Sequence, residues 1–140
     1  MTRANSSSFL RNALVLDAAV SGATGALMIG AAGMVDGLLG LPVALTRSAG
    51  IILIPYAAFV AYVGTRDSLS LPAVWAVIVT NALWAAASVA LLLSGWVAPT
   101  ALGYAFVIAQ AAVVAVFGEL QYRGLTAPGG VRSMISGRLG

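Results

Sequence analysis

Four long apolar runs dominate the chain, and short segments rich in Gly, Pro and Arg separate them. The runs cover residues 9–35, 48–65, 71–93 and 100–122. A helix rises about 1.5 Å per residue, so about 20 apolar residues cross the roughly 30 Å hydrocarbon core of a bilayer. The pattern predicts an all-α polytopic membrane protein, with four transmembrane helices forming one bundle over residues 9–123.

The segments between the runs carry residues that end helices. Residues 36–47 contain two glycines and Pro42 but remain apolar, which predicts a loop or a short helix lying in the membrane interface. Pro55 falls inside the second run and predicts a kink. Residues 1–8 form a polar N-terminal segment, and residues 124–140 form a tail that is too polar to span.

The arginines orient this bundle. All seven basic residues are Arg, and with four spans most of them lie on one side. If the N-terminus is cytoplasmic, only Arg47 lies outside. Because cytoplasmic loops carry the excess of basic residues, both termini are predicted to be cytoplasmic. The arginines on the inside are then Arg3, Arg11, Arg66, Arg123, Arg132 and Arg138.

Composition supports a membrane location and excludes several chemistries. Hydrophobic residues make up 61% of the 140 residues and charged residues 8%, whereas a soluble domain carries about 25% charged residues. The absence of Cys, His and Lys removes thiolate nucleophiles, the usual metal and haem ligands, and Schiff-base chemistry. A net charge of +3 without a basic cluster does not fit a nucleic-acid partner. We therefore expect no enzymatic activity, no cofactor and no metal.

Asp17 is the main candidate for a functional residue. It lies six residues after Arg11 in the first run, about 9 Å further along the helix. A carboxyl at that depth is costly unless it is neutral or paired. One interpretation is a proton- or ligand-binding group that faces the bundle interior together with Ser21. The other is a hydrogen bond between helices that fixes packing.

Other polar residues occupy the later runs at similar or greater depth. Asn81 is expected to reach Asp17 if the first and third spans are neighbours, and Tyr56 follows the helix-breaking Pro55. Glu119 faces away from Gln110 and is expected to pair with Arg123 at the interface. The candidate binding cluster is therefore Asp17, Ser21, Tyr56, Asn81, Trp84 and Gln110.

Small residues spaced four apart predict close helix packing, as in many membrane bundles. The stripes are Gly22–Ala26–Gly30 and Ser21–Gly25 in the first span, Ala82–Ala86–Ala90 in the third, and Ala111–Ala115 with Gly118 in the fourth.

Four stretches of the sequence carry a family resemblance: LDAAVSGATG (16–25), LLGLP (38–42), NALW (81–84) with Ser88, and GWVAPTALGYAFVIAQA (95–111). They resemble a family of small four-helix proteins from proteobacterial inner membranes, usually described as hypothetical integral membrane proteins. The resemblance covers most of the chain and implies a fold and a bacterial inner-membrane location, without an activity.

The size and helix count are also similar to those of small multidrug-resistance exporters. These place one essential carboxyl in the first helix, and Asp17 would be its counterpart. That family has Glu at the position, and its other aromatic and glycine patterns are missing from this sequence.

Two functions follow as hypotheses. The first is a non-enzymatic membrane protein, acting as an accessory or scaffold subunit or as an intramembrane binder of a small lipophilic molecule. The alternative is a small proton-coupled transporter or exporter in which Asp17 titrates. The expected partners are the lipid bilayer and either further copies of the chain or another membrane protein.

Overall fold

The structure, a computed structural model, describes residues 2–127, with side chains from Ser8 onward. The described chain forms five helices: α1 (Thr2–Gly30), α2 (Ala32–Leu39), α3 (Val43–Thr65), α4 (Leu71–Ser94) and α5 (Ala101–Thr126). Four of them, α1, α3, α4 and α5, are long and apolar enough to cross a membrane. The protein is therefore all-α with four candidate spans, which suggests a membrane protein.

The first apolar run forms two helices, where the sequence predicted one helix over 9–35. The chain leaves the helical path at Ala31, whose φ of −111° and ψ of 17° separate α1 from α2. Hydropathy does not mark this break because the run stays apolar to Val35. The short helix predicted within 36–47 therefore lies earlier, at Ala32–Leu39.

Gly40 and Pro42 set the connection from α2 to α3. Gly40 has a φ of +67°, which glycine adopts without strain, and its N–H donates to the carbonyl of Asp36 to end α2. Pro42 precedes the first residue of α3 with a φ of −57°. The second span therefore begins at Val43 and not at residue 48, and it continues through Pro55. The predicted tail 124–140 begins inside α5, and residues 128–140 lie outside the described part.

The long helices run antiparallel and lie side by side in the order α3, α1, α5, α4. The pairs α1–α3 and α4–α5 make the most extensive contacts, and α1 packs on α5. Helices α3 and α4 are joined by a short turn and have few close backbone contacts, although their side chains meet near that turn, where Val63 and Val74 belong to the same core. The bundle consequently has a cleft between α3 and α4, and α2 packs against α3 and α5 at one end.

The two ends of the bundle have separate apolar cores. At the N-terminal end, which contains the start of α1 and the end of α5, Leu10 and Leu125 are fully buried with Val63 and Val74. At the α2 end, a smaller core surrounds Leu39. Polar groups lie between these two cores along the axis of the bundle.

Glycine brings the backbones of α1 and α3 together. A Cβ on Gly50 would lie 2.8 Å from the carbonyl oxygen of Gly25 and 3.0 Å from Cβ of Met28. Of the two stripes predicted in the first span, Ser21–Gly25 is buried, whereas Ala26 is exposed and Gly30 has no neighbour. Spacing alone does not decide which stripe faces a partner.

The other predicted stripes differ in their outcome. Ala82, Ala86 and Ala90 of α4 are exposed, so the prediction that they pack within the bundle is wrong. On α5, Ala111 and Gly118 are buried but Ala115 is exposed, and a Cβ on Gly118 would touch Cβ of Asn81 at 3.4 Å. The α4 stripe points outward because only a narrow face of that helix contacts α5.

Candidate functional site

Asp17 is 1% exposed and lies at the meeting point of all four long helices. Ser21 of the same helix donates to its Oδ1 at 3.0 Å. Asn81 of α4 and Gln121 of α5 donate to Oδ2 at 2.9 and 2.8 Å. The Tyr56 hydroxyl of α3 lies 3.1 Å from the same oxygen. We refer to these five residues as the Asp17 cluster.

The partners of Asp17 also bind one another. Asn81 donates to Oε1 of Gln121 at 3.0 Å, and the Tyr56 hydroxyl lies 2.8 Å from Oδ1 of Asn81. A phenol has one hydrogen, so Tyr56 donates either to Asn81 or to Asp17. The hydroxyl hydrogen is therefore given to one of these two oxygens or shared between them.

Asp17 is surrounded by neutral groups. No arginine forms a salt bridge with it among the side chains from Ser8 to Ala127. Arg11 donates instead to the carbonyls of Gly64, at 2.8 Å, and Arg66, where the negative end of the α3 dipole lies. Amide and hydroxyl dipoles therefore hold the carboxyl. The predicted Glu119–Arg123 pair forms at 2.8 Å on the exposed surface.

Trp84 and Gln110 form a second polar group, separate from the Asp17 cluster. Trp84 Nε1 donates to Oε1 of Gln110 at 2.9 Å, and Gln110 Nε2 donates to Oγ of Ser88 at 2.8 Å. Ser88 in turn donates to the carbonyl of Trp84 at 2.8 Å. These three residues, the Trp84 cluster, link α4 to α5 and fix the orientation of the indole.

The six predicted site residues thus divide into two groups. Asp17, Ser21, Tyr56 and Asn81 meet, whereas Trp84 and Gln110 belong to the other cluster. Gln121, which is 0% exposed, completes the Asp17 cluster, and the sequence prediction did not include it. The available signal was an uncharged amide inside an apolar run, at the same end of the bundle as Asp17.

A cavity of about 370 Å³ occupies the cleft between α3 and α4, on the α2 side of the Asp17 cluster. Its wall is mainly apolar, from residues such as Met28, Ile52 and Phe106, and the Trp84 cluster forms part of it. A smaller cavity of about 40 Å³ touches Tyr56 and Asn81 and also Trp84. The small cavity therefore lies between the Asp17 cluster and the large cavity.

Thr46 is the residue of the cavity wall whose hydroxyl is buried and also lacks a partner. It is 2% exposed, and its hydroxyl is buried without a hydrogen bond to any described residue. Its backbone N–H donates to the carbonyl of Pro42 at 3.1 Å. Buried hydroxyls are nearly always hydrogen-bonded, so this one needs an explanation.

Comparisons with known proteins give no match: no family model, no curated protein and no solved structure is similar to the chain. Within residues 2–127, no group of three His, Cys, Asp or Glu side chains is placed to hold a metal ion. The interpretation of the site therefore depends on its own geometry.

Proposed function

We propose that this protein is an integral membrane protein that binds a small lipophilic molecule in the cavity between α3 and α4. The main support for this proposal is the cavity itself. Its volume of about 370 Å³ falls in the usual range of ligand pockets, roughly 300–1,000 Å³, and its wall is apolar with a few polar groups. Because α3 and α4 have few close backbone contacts, we expect the cleft between them to open to the surrounding lipid, so that a lipophilic molecule enters sideways.

The polar clusters support binding because they hold the cavity wall in place. Hydrogen bonds from Trp84 to Gln110 and from Gln110 to Ser88 fix one wall. The Asp17 cluster ties α3, which forms the opposite wall, to the other three long helices. A preorganised wall loses less entropy when a ligand binds.

The proposal includes a location. The resemblance to small proteobacterial inner-membrane proteins favours a bacterial inner membrane. The distribution of the seven arginines favours both termini in the cytoplasm, and the N-terminal end of the bundle is then the cytoplasmic end. The cavity, at the α2 end, lies in the outer leaflet in this orientation. A role as accessory or scaffold subunit, with further copies or another membrane protein, is compatible with the exposed apolar face of α4 but does not need the cavity.

Ala87→Phe is expected to block ligand binding, because Ala87 lines the cavity and an aromatic ring would fill it. The probe is 1-bromoundecane, whose bromine quenches the fluorescence of nearby indoles. The protein is reconstituted in liposomes with Trp84 as its only tryptophan, after Trp75→Phe and Trp96→Phe. Saturable quenching that undecane reverses is expected, and Ala87→Phe should weaken it at least about tenfold, the loss of roughly 1.4 kcal/mol.

The matched control is Ala86→Phe, which adds the same ring at a neighbouring position outside the cavity wall. This variant should keep the saturable quenching. Quenching that rises linearly with probe in the native protein, as for any lipid-exposed indole, would contradict the proposed function. Equal effects of the two substitutions would contradict the assignment to this cavity.

Proton-coupled transport is the second candidate, and the Tyr56 hydroxyl supports it. The hydroxyl lies within hydrogen-bonding distance of both Asp17 and Asn81, so it is able to turn from one to the other if the carboxyl gains or loses a proton. The small cavity also places this group beside the large one. Tetraphenylphosphonium uptake into proteoliposomes under a pH gradient tests it. If the protein only binds ligands, the gradient drives no uptake; uptake that Asp17→Asn abolishes would establish the alternative.

A further inference from the structure

We propose that the ligand is a single-chain amphiphile with an uncharged oxygen headgroup, which Thr46 hydrogen-bonds while the chain extends towards Trp84. This inference rests on the proposed function and assigns its chemical class. The headgroup carries a neutral hydroxyl or carbonyl. Four features support this assignment: the unpaired hydroxyl of Thr46, the position of the cavity, the absence of charge in the cavity wall and the opening of the cavity.

The unpaired hydroxyl of Thr46 identifies the polar end of the ligand. A threonine hydroxyl has one hydrogen to donate and two lone pairs to accept, and here none of them is used by the described residues. The hydroxyl oxygen is buried in the structure, and threonine in a helix divides between two χ1 rotamers that place this oxygen at different staggered positions on Cβ. Thr46 therefore presents its hydroxyl to a ligand by a rotation of the side chain, without a backbone change.

The position of the cavity matches one leaflet of a bilayer. Thr46 lies one helical turn after the start of α3 at Val43, close to the α2 end. Trp84 lies ten residues before the last residue of α4, Ser94, about 15 Å along the helix. That is about half of the roughly 30 Å hydrocarbon core. A ligand with its head at Thr46 and its chain at Trp84 therefore has the orientation of a lipid in that leaflet.

The cavity wall carries no charge. None of the side chains that line it is Arg, Asp or Glu, and its polar members are hydroxyl, amide and indole groups. A charged headgroup would lose its hydration here without an opposite charge, which costs far more than one hydrogen bond returns. The headgroup is accordingly neutral. An alcohol either donates a hydrogen bond to the Thr46 hydroxyl or accepts one from it, and a carbonyl oxygen accepts one.

The cleft between α3 and α4 provides the entrance. Ile52 of α3 and Leu91 of α4 are apolar wall residues on its two sides, so an alkyl chain passes between them without exposing polar backbone. A single chain fits an opening between two helices better than a two-chain lipid does, and it leaves its headgroup at the α2 end.

The test compares three probes that share one chain: 1-bromoundecane, 11-bromoundecanol and 11-bromoundecanoate. Each is titrated into the same liposomes, with Trp84 as the only tryptophan, and affinity is expressed per mole fraction of probe in the membrane. One hydrogen bond should make the alcohol about three- to tenfold tighter than the bromoalkane. The carboxylate should bind no more tightly than the bromoalkane.

Thr46→Val and Thr46→Ser assign the preference to the hydroxyl. Val keeps the shape and should reduce the advantage of the alcohol to less than about twofold, whereas Ser should retain it. Thr65→Val, on the same helix, removes an exposed hydroxyl that donates to Ala61 at 2.7 Å and should leave the preference unchanged. The ligand-free Thr46→Val protein should melt at the same temperature as the native protein or higher, because an unpaired buried hydroxyl stabilises nothing.

The outcomes distinguish this inference from the proposed function. Equal saturable binding of alcohol and bromoalkane, or a preference that survives Thr46→Val, overturns the headgroup assignment and leaves the cavity as a binding site. Tightest binding of the carboxylate overturns the neutral headgroup. If no probe quenches Trp84 in a saturable manner, both the inference and the proposed function are wrong.

Discussion

Replacing Asp17 with Leu is expected to lower the free energy of unfolding by about 2–4 kcal/mol, whereas Asp17→Asn is expected to change it by less than about 1 kcal/mol. The difference follows from which atoms of the carboxyl are used. Oδ2 accepts from Asn81 and Gln121 and meets Tyr56, but Oδ1 accepts only from Ser21.

Asn reproduces the arrangement when its amide oxygen takes the place of Oδ2. Its amide nitrogen then replaces Oδ1 and donates to the hydroxyl of Ser21, which is able to accept. Leu has a similar size but accepts nothing, so Gln121 loses the acceptor of its buried N–H group and Asn81 loses one of two. Lipid is as apolar as Leu, so the new side chain gains little from burial to offset this loss.

The measurement is reversible unfolding in mixed detergent and lipid micelles, followed by circular dichroism for both variants and the native protein. Leu16→Asn provides a control for the introduction of an amide into the same helix, because Leu16 is exposed. A native-like Asp17→Leu would show that the cluster does not stabilise the bundle. A loss for Asp17→Asn as large as that for Asp17→Leu would show that the carboxyl charge or proton, and not its acceptor geometry, is required.

The sequence predicted the four long helices well because a run of about 20 apolar residues is typical of a membrane-spanning helix. It did not predict the break at Ala31, since apolar residues continue on both sides and the φ and ψ of one residue leave no hydropathy signal. Nor did it predict that α3 begins at Val43. The charged Arg47 suggested the start of the span, whereas the helix begins about one turn before it.

The sequence predicted only part of the site, because it indicates how deep a residue lies but not which way its helix face points. Depth along the helices suggested a contact between Asp17 and Asn81 if the first and third spans were neighbours. The structure has this contact at 2.9 Å, although α1 and α4 do not pack side by side. The grouping of Trp84 with Asp17 and the omission of Gln121 depend on how the helices are rotated about their axes. Hydrophobic periodicity fixes this rotation in soluble proteins, but here the outer surfaces are as apolar as the interior, so the signal is weak.

Gly50→Ala is expected to destabilise the protein by about 1–3 kcal/mol, the usual effect of overpacking a tight contact. The added Cβ would lie 2.8 Å from the carbonyl oxygen of Gly25, 2.9 Å from Cγ1 of Ile29 and 3.0 Å from Cβ of Met28. Two of these neighbours are fixed by the helical backbone of α1, so α1 and α3 must move apart. Met28 also lines the cavity, which should therefore change shape.

Gly33→Ala is the matched control, because it makes the same chemical change inside a helix where a Cβ meets nothing within 4 Å. Alanine is the better helix former by about 0.5–1 kcal/mol, so this variant should be as stable as the native protein or slightly more stable. Unfolding of both variants in the same micelles separates the contact from helix propensity. Stabilisation by both substitutions would show that the backbones of α1 and α3 lie further apart than in the structure. Destabilisation by Gly50→Ala together with stabilisation by Gly33→Ala would show that the Gly25–Gly50 contact fixes the position of α3, which forms one wall of the cavity.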